Sequence, residues 1–218
     1  MRSERLAGEN ILQRLAVAQR PNQRTRRAVL AVACALGISI FFVADSYWPD
    51  GGLVHEGIEW VGIALITVCV LGRTWCILYI GNNKNYEMIH DGPYSVVRHP
   101  LYVFSIIGAI GVGAQAGGFT AALVGGFLTW AIFLRMAQIE EENMIDLYGA
   151  RYFDYAMRTP RFMPNFALYF SRRSLQVFPR RIAVTFFDAM IFFVSVPIME
   201  VFDYLHDAKI LPTLFSLP

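Results

Sequence analysis

The chain has few cysteines and few charged residues, and each scarcity excludes a class of protein. Of 218 residues only three are cysteine, Cys34, Cys69 and Cys76, and all three lie in apolar stretches. An odd number of cysteines in such stretches indicates neither a disulfide framework nor a zinc site. No other metal-ligand spacing is present, so no metal is expected. The formal net charge of +2 is too small to favour a nucleic-acid partner.

Apolar residues are abundant instead. They make up 56% of the chain, with a mean hydropathy of +0.43, whereas soluble domains are about 45–50% apolar. They also form blocks close to the roughly 20 residues that cross a bilayer. We therefore predict an all-α integral membrane bundle of about five transmembrane helices. The predicted spans are Ala28–Ala44, Ile58–Ile80, Leu101–Ala114, Phe119–Ala137 and Ile182–Phe202.

Two of these spans are expected to form a tight hairpin. The third is short and contains Gly108, Gly111 and Gly113, which favour close packing on a neighbouring helix. A small-residue turn at 115–118 joins it to the fourth span. The first span lacks the cleavage pattern of a signal peptide, so we expect it to be retained.

Basic residues predict the orientation of the bundle. Seventeen of the nineteen Lys and Arg residues lie in residues 1–27, the 81–100 loop and the 135–181 segment. The positive-inside rule therefore places these segments and the N-terminus in the cytoplasm, and the C-terminus outside. Acidic residues mark the opposite side, at Asp45, Asp50, Glu56, Asp203 and Asp207.

A polar motif precedes the third span. Arg98 and His99 come directly before Pro100, which suits the first turn of a helix because it has no N–H to satisfy. The free N–H groups at such a helix start favour an anion. The alternative is that Arg98 is a snorkelling anchor and that Tyr94 and Tyr102 are interfacial belt residues.

An acidic triplet, Glu140-Glu141-Glu142, follows the fourth span at the same membrane edge. Apolar residues keep helical spacing through this segment as far as Tyr148, and Gly149 is placed to cap the helix. The alternative is a solvated helix end whose acids pair with nearby arginines.

Together these motifs resemble the isoprenylcysteine carboxyl methyltransferase family and the related membrane phospholipid methyltransferases. The likeness runs from about Ile58 to Pro164, and bacterial members have stretches similar to 73–76 and 79–81. The motifs that carry it are Gly92-Pro93-Tyr94, Arg98-His99-Pro100-Leu101-Tyr102, Glu140-Glu141, Gly149-x-x-Tyr152-x-x-Tyr155 and Pro160-Arg161-Phe162-x-Pro164.

The resemblance implies an enzyme that uses S-adenosyl-L-methionine, with S-adenosylhomocysteine as product, at the cytoplasmic face. In the family pattern, the spacing to Gly149 points to Glu141, with Glu140 as its pair and Glu142 as an extra acid. The cofactor's carboxylate would go to His99 and Tyr102, and its ammonium to a Glu of the triplet. The candidate catalytic residues are Arg98, Glu141 and Arg135, and Arg98, Arg135 or Arg151 could steady the carboxylate of an acceptor. The implied cofactor-binding residues are Tyr94, His99, Pro100, Leu101, Tyr102, Glu140, Glu141 and Tyr152.

Three parts of the chain follow from these predictions. Residues 1–27 are expected to be a cytoplasmic amphipathic segment, 28–164 the membrane methyltransferase core, and 165–218 an extension with the fifth span. The extension could line the substrate path, cover it or mediate a homo-oligomer. The expected partners are the lipid bilayer and a lipophilic or lipidated substrate.

The acceptor and the class of protein remain open to alternatives. An ionised carboxylate attacks without losing a proton, which favours carboxyl O-methylation of an isoprenylcysteine-like or other lipophilic acid. Phospholipid N-methylation, of the phosphatidylethanolamine type, is the close alternative. A steroid-reductase-like membrane oxidoreductase is more remote, and a non-catalytic membrane scaffold would not need the clustered polar residues.

Overall fold

The computed structural model describes residues 44–46, 52–80, 88–172, 175, 177–208 and 215–217. All of them belong to one compact unit, Ser39–Pro218. The predicted amphipathic segment lies outside the described residues. The predicted first span does so too, apart from Ala44, which begins a short strand.

The described part of the chain is helical, which confirms the predicted fold class. The helices are α1 (Leu53–Ile80), α2 (Pro93–Val96), α3 (Pro100–Ala114), α4 (Phe119–Tyr148), α5 (Ala150–Arg158), α6 (Pro179–Met190) and α7 (Ser195–Asp207). Turns of 3₁₀ helix occupy Phe166–Leu168 and Ile191–Val194. Strands β1 (Ala44–Ser46) and β2 (Phe215–Leu217) pair in parallel over three residues each.

Among the residues that the structure describes, three helical stretches are long and apolar enough to cross a membrane, namely Leu53–Ile80, Phe119–Tyr148 and Pro179–Phe202. They correspond to the second, fourth and fifth predicted spans, each with longer bounds. Helix α3 is apolar but has 15 residues, so at 1.5 Å per residue it is about 22 Å long, shorter than the roughly 30 Å of a hydrocarbon core. It therefore needs its neighbours to complete the layer.

Helices α1 and α3 pack closely through small residues. A Cβ atom added to Gly62 would lie 2.8 Å from the carbonyl oxygen of Gly111, and one added to Gly111 would lie 2.8 Å from the carbonyl oxygen of Gly62. One added to Gly108 would lie 2.6 Å from the Cys69 sulfur. The glycines of α3 thus let two backbones approach to a distance that any side chain would prevent.

The predicted hairpin between α3 and α4 is confirmed. Gly117 turns the chain with φ +63°, a region that favours glycine. The two helices run antiparallel, and the rings of Tyr102 and Phe133 stack at 4.4 Å. This arrangement brings the start of α3 beside the polar end of α4.

Helix α4 continues 11 residues past the predicted span, to Tyr148. Gly149 ends it with φ 54°, donating its N–H to Ile145 at 2.8 Å, and α5 begins at the next residue. Gly149 therefore caps α4 as predicted. The chain then returns toward α2, where the N–H of Arg98 donates to the carbonyl of Pro160 at 2.9 Å.

Candidate active site

The polar end of the bundle is organised around the buried carboxylate of Glu141, which is 7% exposed. Arg161 donates to it through two nitrogens, Nε to Oε1 at 2.9 Å and Nη2 to Oε2 at 2.7 Å. Nη1 of Arg98 lies 2.9 Å from Oε2, and Nε2 of His99 lies 3.0 Å from Oε1. Three side chains thus contact one carboxylate through four nitrogens and stabilise its ionised form.

Helix ends and one backbone contact bring these donors together. Arg98 and His99 stand at the start of α3, where Pro100 occupies the first turn. The hydrogen bond from the Arg98 N–H to the Pro160 carbonyl holds residue 161 beside residue 98. The two arginines can therefore approach the same carboxylate, which offsets the repulsion between their charges.

Glu140 forms a second, more accessible part of the cluster. Tyr102 donates its hydroxyl to Glu140 Oε1 at 2.5 Å, and Nδ1 of His99 lies 3.7 Å from Oε2. The side chain of Glu140 is 34% exposed, compared with 9% for Glu141. Glu142 points away from the buried side and is exposed. Glu140 is thus the carboxylate of the cluster that an incoming cation can reach most easily.

Buried tyrosines surround the cluster. Tyr155 donates its hydroxyl to the carbonyl of Tyr94 at 2.6 Å. The Tyr94 hydroxyl is itself buried and has no hydrogen-bond partner among the residues that the structure describes. Burial raises the pKa of Tyr152 to about 12 and raises the pKa values of Tyr94 and Tyr155 well above 10.0. All three phenols therefore stay neutral and can donate hydrogen bonds near neutral pH.

The charge of the cluster is close to balanced but leaves spare donors. Hydrogen bonding to Glu141 raises the pKa of Arg161 above its usual range. Nε of Arg98 is buried and has no hydrogen-bond partner in the described part of the chain. Among the described residues, this N–H and the Tyr94 hydroxyl are thus two buried donors without a protein partner.

The structure brings together most of the residues singled out in the sequence. The residues in direct mutual contact are Arg98, His99, Tyr102, Glu140 and Glu141. Tyr152 is buried and hydrogen-bonds with Arg98, Pro100 starts α3, and the Leu101 carbonyl accepts from Ser105. Arg135 is different: it lies exposed on α4, and no contact joins it to the cluster among the described residues.

Arg161 also contributes to the cluster, although its position in the sequence predicts no role for it. In the sequence it stands out only as part of the Pro160-Arg161-Phe162 motif. The ring of Phe162 lies 6.1 Å from the ring of His99. The segment beyond this motif also joins the site. Phe170 accepts from the N–H of Gly92 at 2.7 Å and donates its own N–H to Ser95 Oγ at 3.0 Å. Within the described ranges, no group of three or more His, Cys, Asp or Glu could hold a metal ion.

Comparisons with known proteins identify relatives of two kinds. The family model described as phospholipid methyltransferase matches residues 58–151. The nickel-cobalt-cadmium resistance protein NccN of Alcaligenes xylosoxydans is 30% identical over 199 residues, 89% of this chain and 91% of the relative. The cobalt-zinc-cadmium resistance protein CzcN of Cupriavidus metallidurans is 32% identical over 200 residues, 89% of each chain.

A further relative is named as an enzyme. The protein-S-isoprenylcysteine O-methyltransferase of Schizosaccharomyces pombe is 32% identical over 82 residues, which cover 38% of this chain and 35% of that protein. No solved structure matches the chain significantly.

Proposed function

This chain belongs to the membrane methyltransferase family of phospholipid methyltransferases and isoprenylcysteine O-methyltransferases, and we propose that it transfers a methyl group from S-adenosyl-L-methionine to a lipophilic acid. The observation that carries this proposal is the cluster of Arg98, Arg161 and His99 around Glu141, at the end of a hairpin of apolar helices.

The residues of the cluster fit the amino-acid end of that methyl donor. A carboxylate needs N–H and O–H donors, which Arg98 Nε and the Tyr94 hydroxyl supply without losing a partner. An ammonium group needs a carboxylate, and Glu140 is the more accessible one. Charge-assisted hydrogen bonds of both kinds would hold the group in one orientation.

When bound, the donor supplies an activated methyl on a sulfonium, whose displacement leaves a neutral thioether. The protein then has to align the acceptor and exclude water. Glu141 and Tyr152 are each under 10% exposed, so the buried side of the cluster would help to exclude water. His99 lies between Glu140 and Glu141, so its ring nitrogens face carboxylates and not an acceptor amine.

The acceptor follows from this arrangement of the site. An ionised carboxylate oxygen forms the new bond to the methyl carbon as the carbon–sulfur bond breaks, and no proton has to move. An amine acceptor is protonated at neutral pH and must first lose its proton. A lipophilic acid therefore suits the site better than an amine.

Phospholipid N-methylation is the second candidate function. It is favoured by one observation, the match of residues 58–151 to the family model described as phospholipid methyltransferase. The active site would face the cytoplasm in either case.

We also propose the topology that the sequence predicts, with five spans, the N-terminus inside and the C-terminus outside. Residues 1–27, 28–164 and 165–218 would be the surface segment, the enzyme core and an extension.

The test is methyl transfer in detergent with radiolabelled donor. A prenylated thioether acid and phosphatidylethanolamine are offered in parallel at several pH values. We expect label in the acid with little change above neutral pH. Label in the amine lipid alone, with a rate rising steeply with pH, would support the second candidate. No transfer to either, together with no binding of S-adenosylhomocysteine, would contradict both.

A further inference from the structure

One cation lies inside an apolar helix and outside the Glu141 cluster. Arg73 is the sole Asp, Glu, Lys or Arg between residues 60 and 80 of α1. It is seven residues before the end of that helix, or about 10 Å along the axis. A charged group at such a depth is costly and faces either a protein partner or a bound ligand.

The contacts of Arg73 do not neutralise its charge. Its Nη1 donates to Ser105 Oγ at 2.5 Å, and its Nε is buried without a hydrogen-bond partner among the described residues. The ion pairs found in the described part of the chain do not include Arg73. The guanidinium keeps its charge under all ordinary conditions and has five N–H donors. It therefore retains donors for an anion.

Ser105 orients this guanidinium toward one side of α3. The Ser105 hydroxyl donates to the Leu101 carbonyl at 2.7 Å, so its lone pairs are left to accept from Arg73. Ser105 itself is buried, 5% exposed. The arginine is thus held by a hydroxyl that cannot compete with an ionised ligand for its charge.

Helix geometry connects Arg73 to the cluster. Ser105 follows Tyr102 by three residues, so both side chains lie on one face of α3. Tyr102 contacts Glu140 at the polar end, and Ser105 lies one turn deeper. An acceptor whose tail is in the bilayer and whose head group points to the cluster would pass this face.

We infer that Arg73, oriented by Ser105, binds the carboxylate of an amphiphilic acceptor and so selects acids over neutral or zwitterionic lipids. The inference rests on the proposed function, which identifies the bound acid as the methyl acceptor. Methylation removes the charge of that carboxylate, so the ester product loses its attraction to Arg73. The same residue would thereby favour substrate entry and product release.

A binding assay tests this without any methyl transfer. Trp75 is two residues from Arg73 on α1, and bromine atoms quench tryptophan fluorescence on contact. The purified full-length protein is titrated in detergent with a dibrominated stearic acid and with its methyl ester. Each hydrogen bond to a charged group changes affinity roughly ten- to hundredfold. We expect the acid to bind wild type tighter than the ester by about that factor.

Variants separate selection from a structural role. Arg73→Met should remove the preference for the acid while binding the ester within about twofold of wild type, and Arg73→Lys should keep part of it. Arg180→Met, at an exposed position of α6, is the matched control and should behave as wild type. Should Arg73→Met fail to fold, Ser105→Ala gives the same comparison and should reduce the preference.

The outcomes are distinct. Equal binding of acid and ester by wild type, or an unchanged preference in folded Arg73→Met, would overturn the inference. A dibrominated phosphatidylglycerol that quenches as strongly as the acid and depends equally on Arg73 would also overturn it, because the site would then bind phospholipid. Binding of S-adenosylhomocysteine is measured alongside. A wild-type protein that does not bind it would contradict the proposed function instead.

Discussion

Replacing Glu141 by glutamine should weaken binding of S-adenosylhomocysteine much more than replacing Glu142 by glutamine. Glu141 is the common acceptor for Arg98, Arg161 and His99, whereas Glu142 is exposed. The two variants remove the same charge from neighbouring positions of one helix. Any difference between them therefore reports the cluster and not the overall charge.

The magnitude follows from the contacts. An amide has one oxygen to accept hydrogen bonds where the carboxylate has two, so Glu141→Gln loses at least one arginine contact and the ionic part of the others. A hydrogen bond to a charged group is worth about 1.5–3 kcal/mol. The Arg161 side chain is 33% exposed, so solvent screening discounts its share. Because Glu141 positions Arg98, a proposed contact of the donor's carboxylate, we expect Glu141→Gln to lower affinity about ten- to hundredfold.

Calorimetry in detergent provides the assay, with a thermal melt for each variant as a check on folding. Glu142→Gln should change affinity by less than about twofold, as most surface substitutions do. Glu141→Asp keeps the charge but withdraws it by one methylene, and an intermediate loss is expected. Equal, small effects at positions 141 and 142 would refute the reasoning and leave the triplet as a solvated helix end.

Three other outcomes are expected. Arg161→Lys loses the two-nitrogen contact to Glu141 and should lower S-adenosylhomocysteine affinity by about tenfold. Arg158 is exposed at the end of α5, so Arg158→Lys should leave the affinity unchanged. Equal affinities of the two variants would contradict a role for Arg161. Burial raises the pKa of Tyr152 to about 12, so the folded protein retains a proton that the unfolded chain loses above its ordinary value of 10.0. Thermal melts should therefore show stability falling as pH rises above about 10, less steeply in Tyr152→Phe than in the exposed control Tyr204→Phe; identical slopes would refute this. S-adenosylhomocysteine binding should be unchanged by a chelator, and its loss would indicate a metal-dependent site.

Local features of the fold were predictable from the sequence because short-range physics determines them. The hairpin at 115–118 needs a positive φ that glycine supplies at Gly117. Gly149 ends α4 for the same reason. The apolar lengths of the described spans likewise follow from the thickness of a bilayer. Some helices begin or end a few residues outside the apolar blocks, and α1, for example, begins at Leu53. This is possible because polar residues can continue a helix beyond the hydrocarbon layer.

The composition of the site was only partly predictable, because it depends on contacts between distant segments. Arg161 and Glu141 are twenty residues apart, and no helical period brings them together. Their contact requires the reversal at Gly149 and the backbone hydrogen bond from Arg98 to Pro160. Charge alone also pointed to Arg135, which the helix instead presents on its exposed side.

The boundary predicted at residue 164 illustrates the same limit. The family motifs stop at Pro164, yet the chain continues across the site: Phe170 exchanges hydrogen bonds with Gly92 and Ser95, and Arg172 Nε lies 3.1 Å from Asp91. Backbone donors and acceptors leave no mark in a sequence pattern. Residues of this segment therefore contact the site, although they carry no motif.

The Glu141 cluster and Arg73 have different roles in the proposed function. The cluster lies at the polar helix ends and offers both charges, which suits a zwitterionic donor molecule. Arg73 lies on an apolar helix and contacts Ser105, about one helical turn from Tyr102, and it offers one charge. The relative named as an isoprenylcysteine O-methyltransferase is similar over 38% of this chain, whereas the two resistance proteins are similar over 89%. Under the proposed function the cluster binds the donor, so experiments on Arg73, and not on the cluster, test the identity of the acceptor.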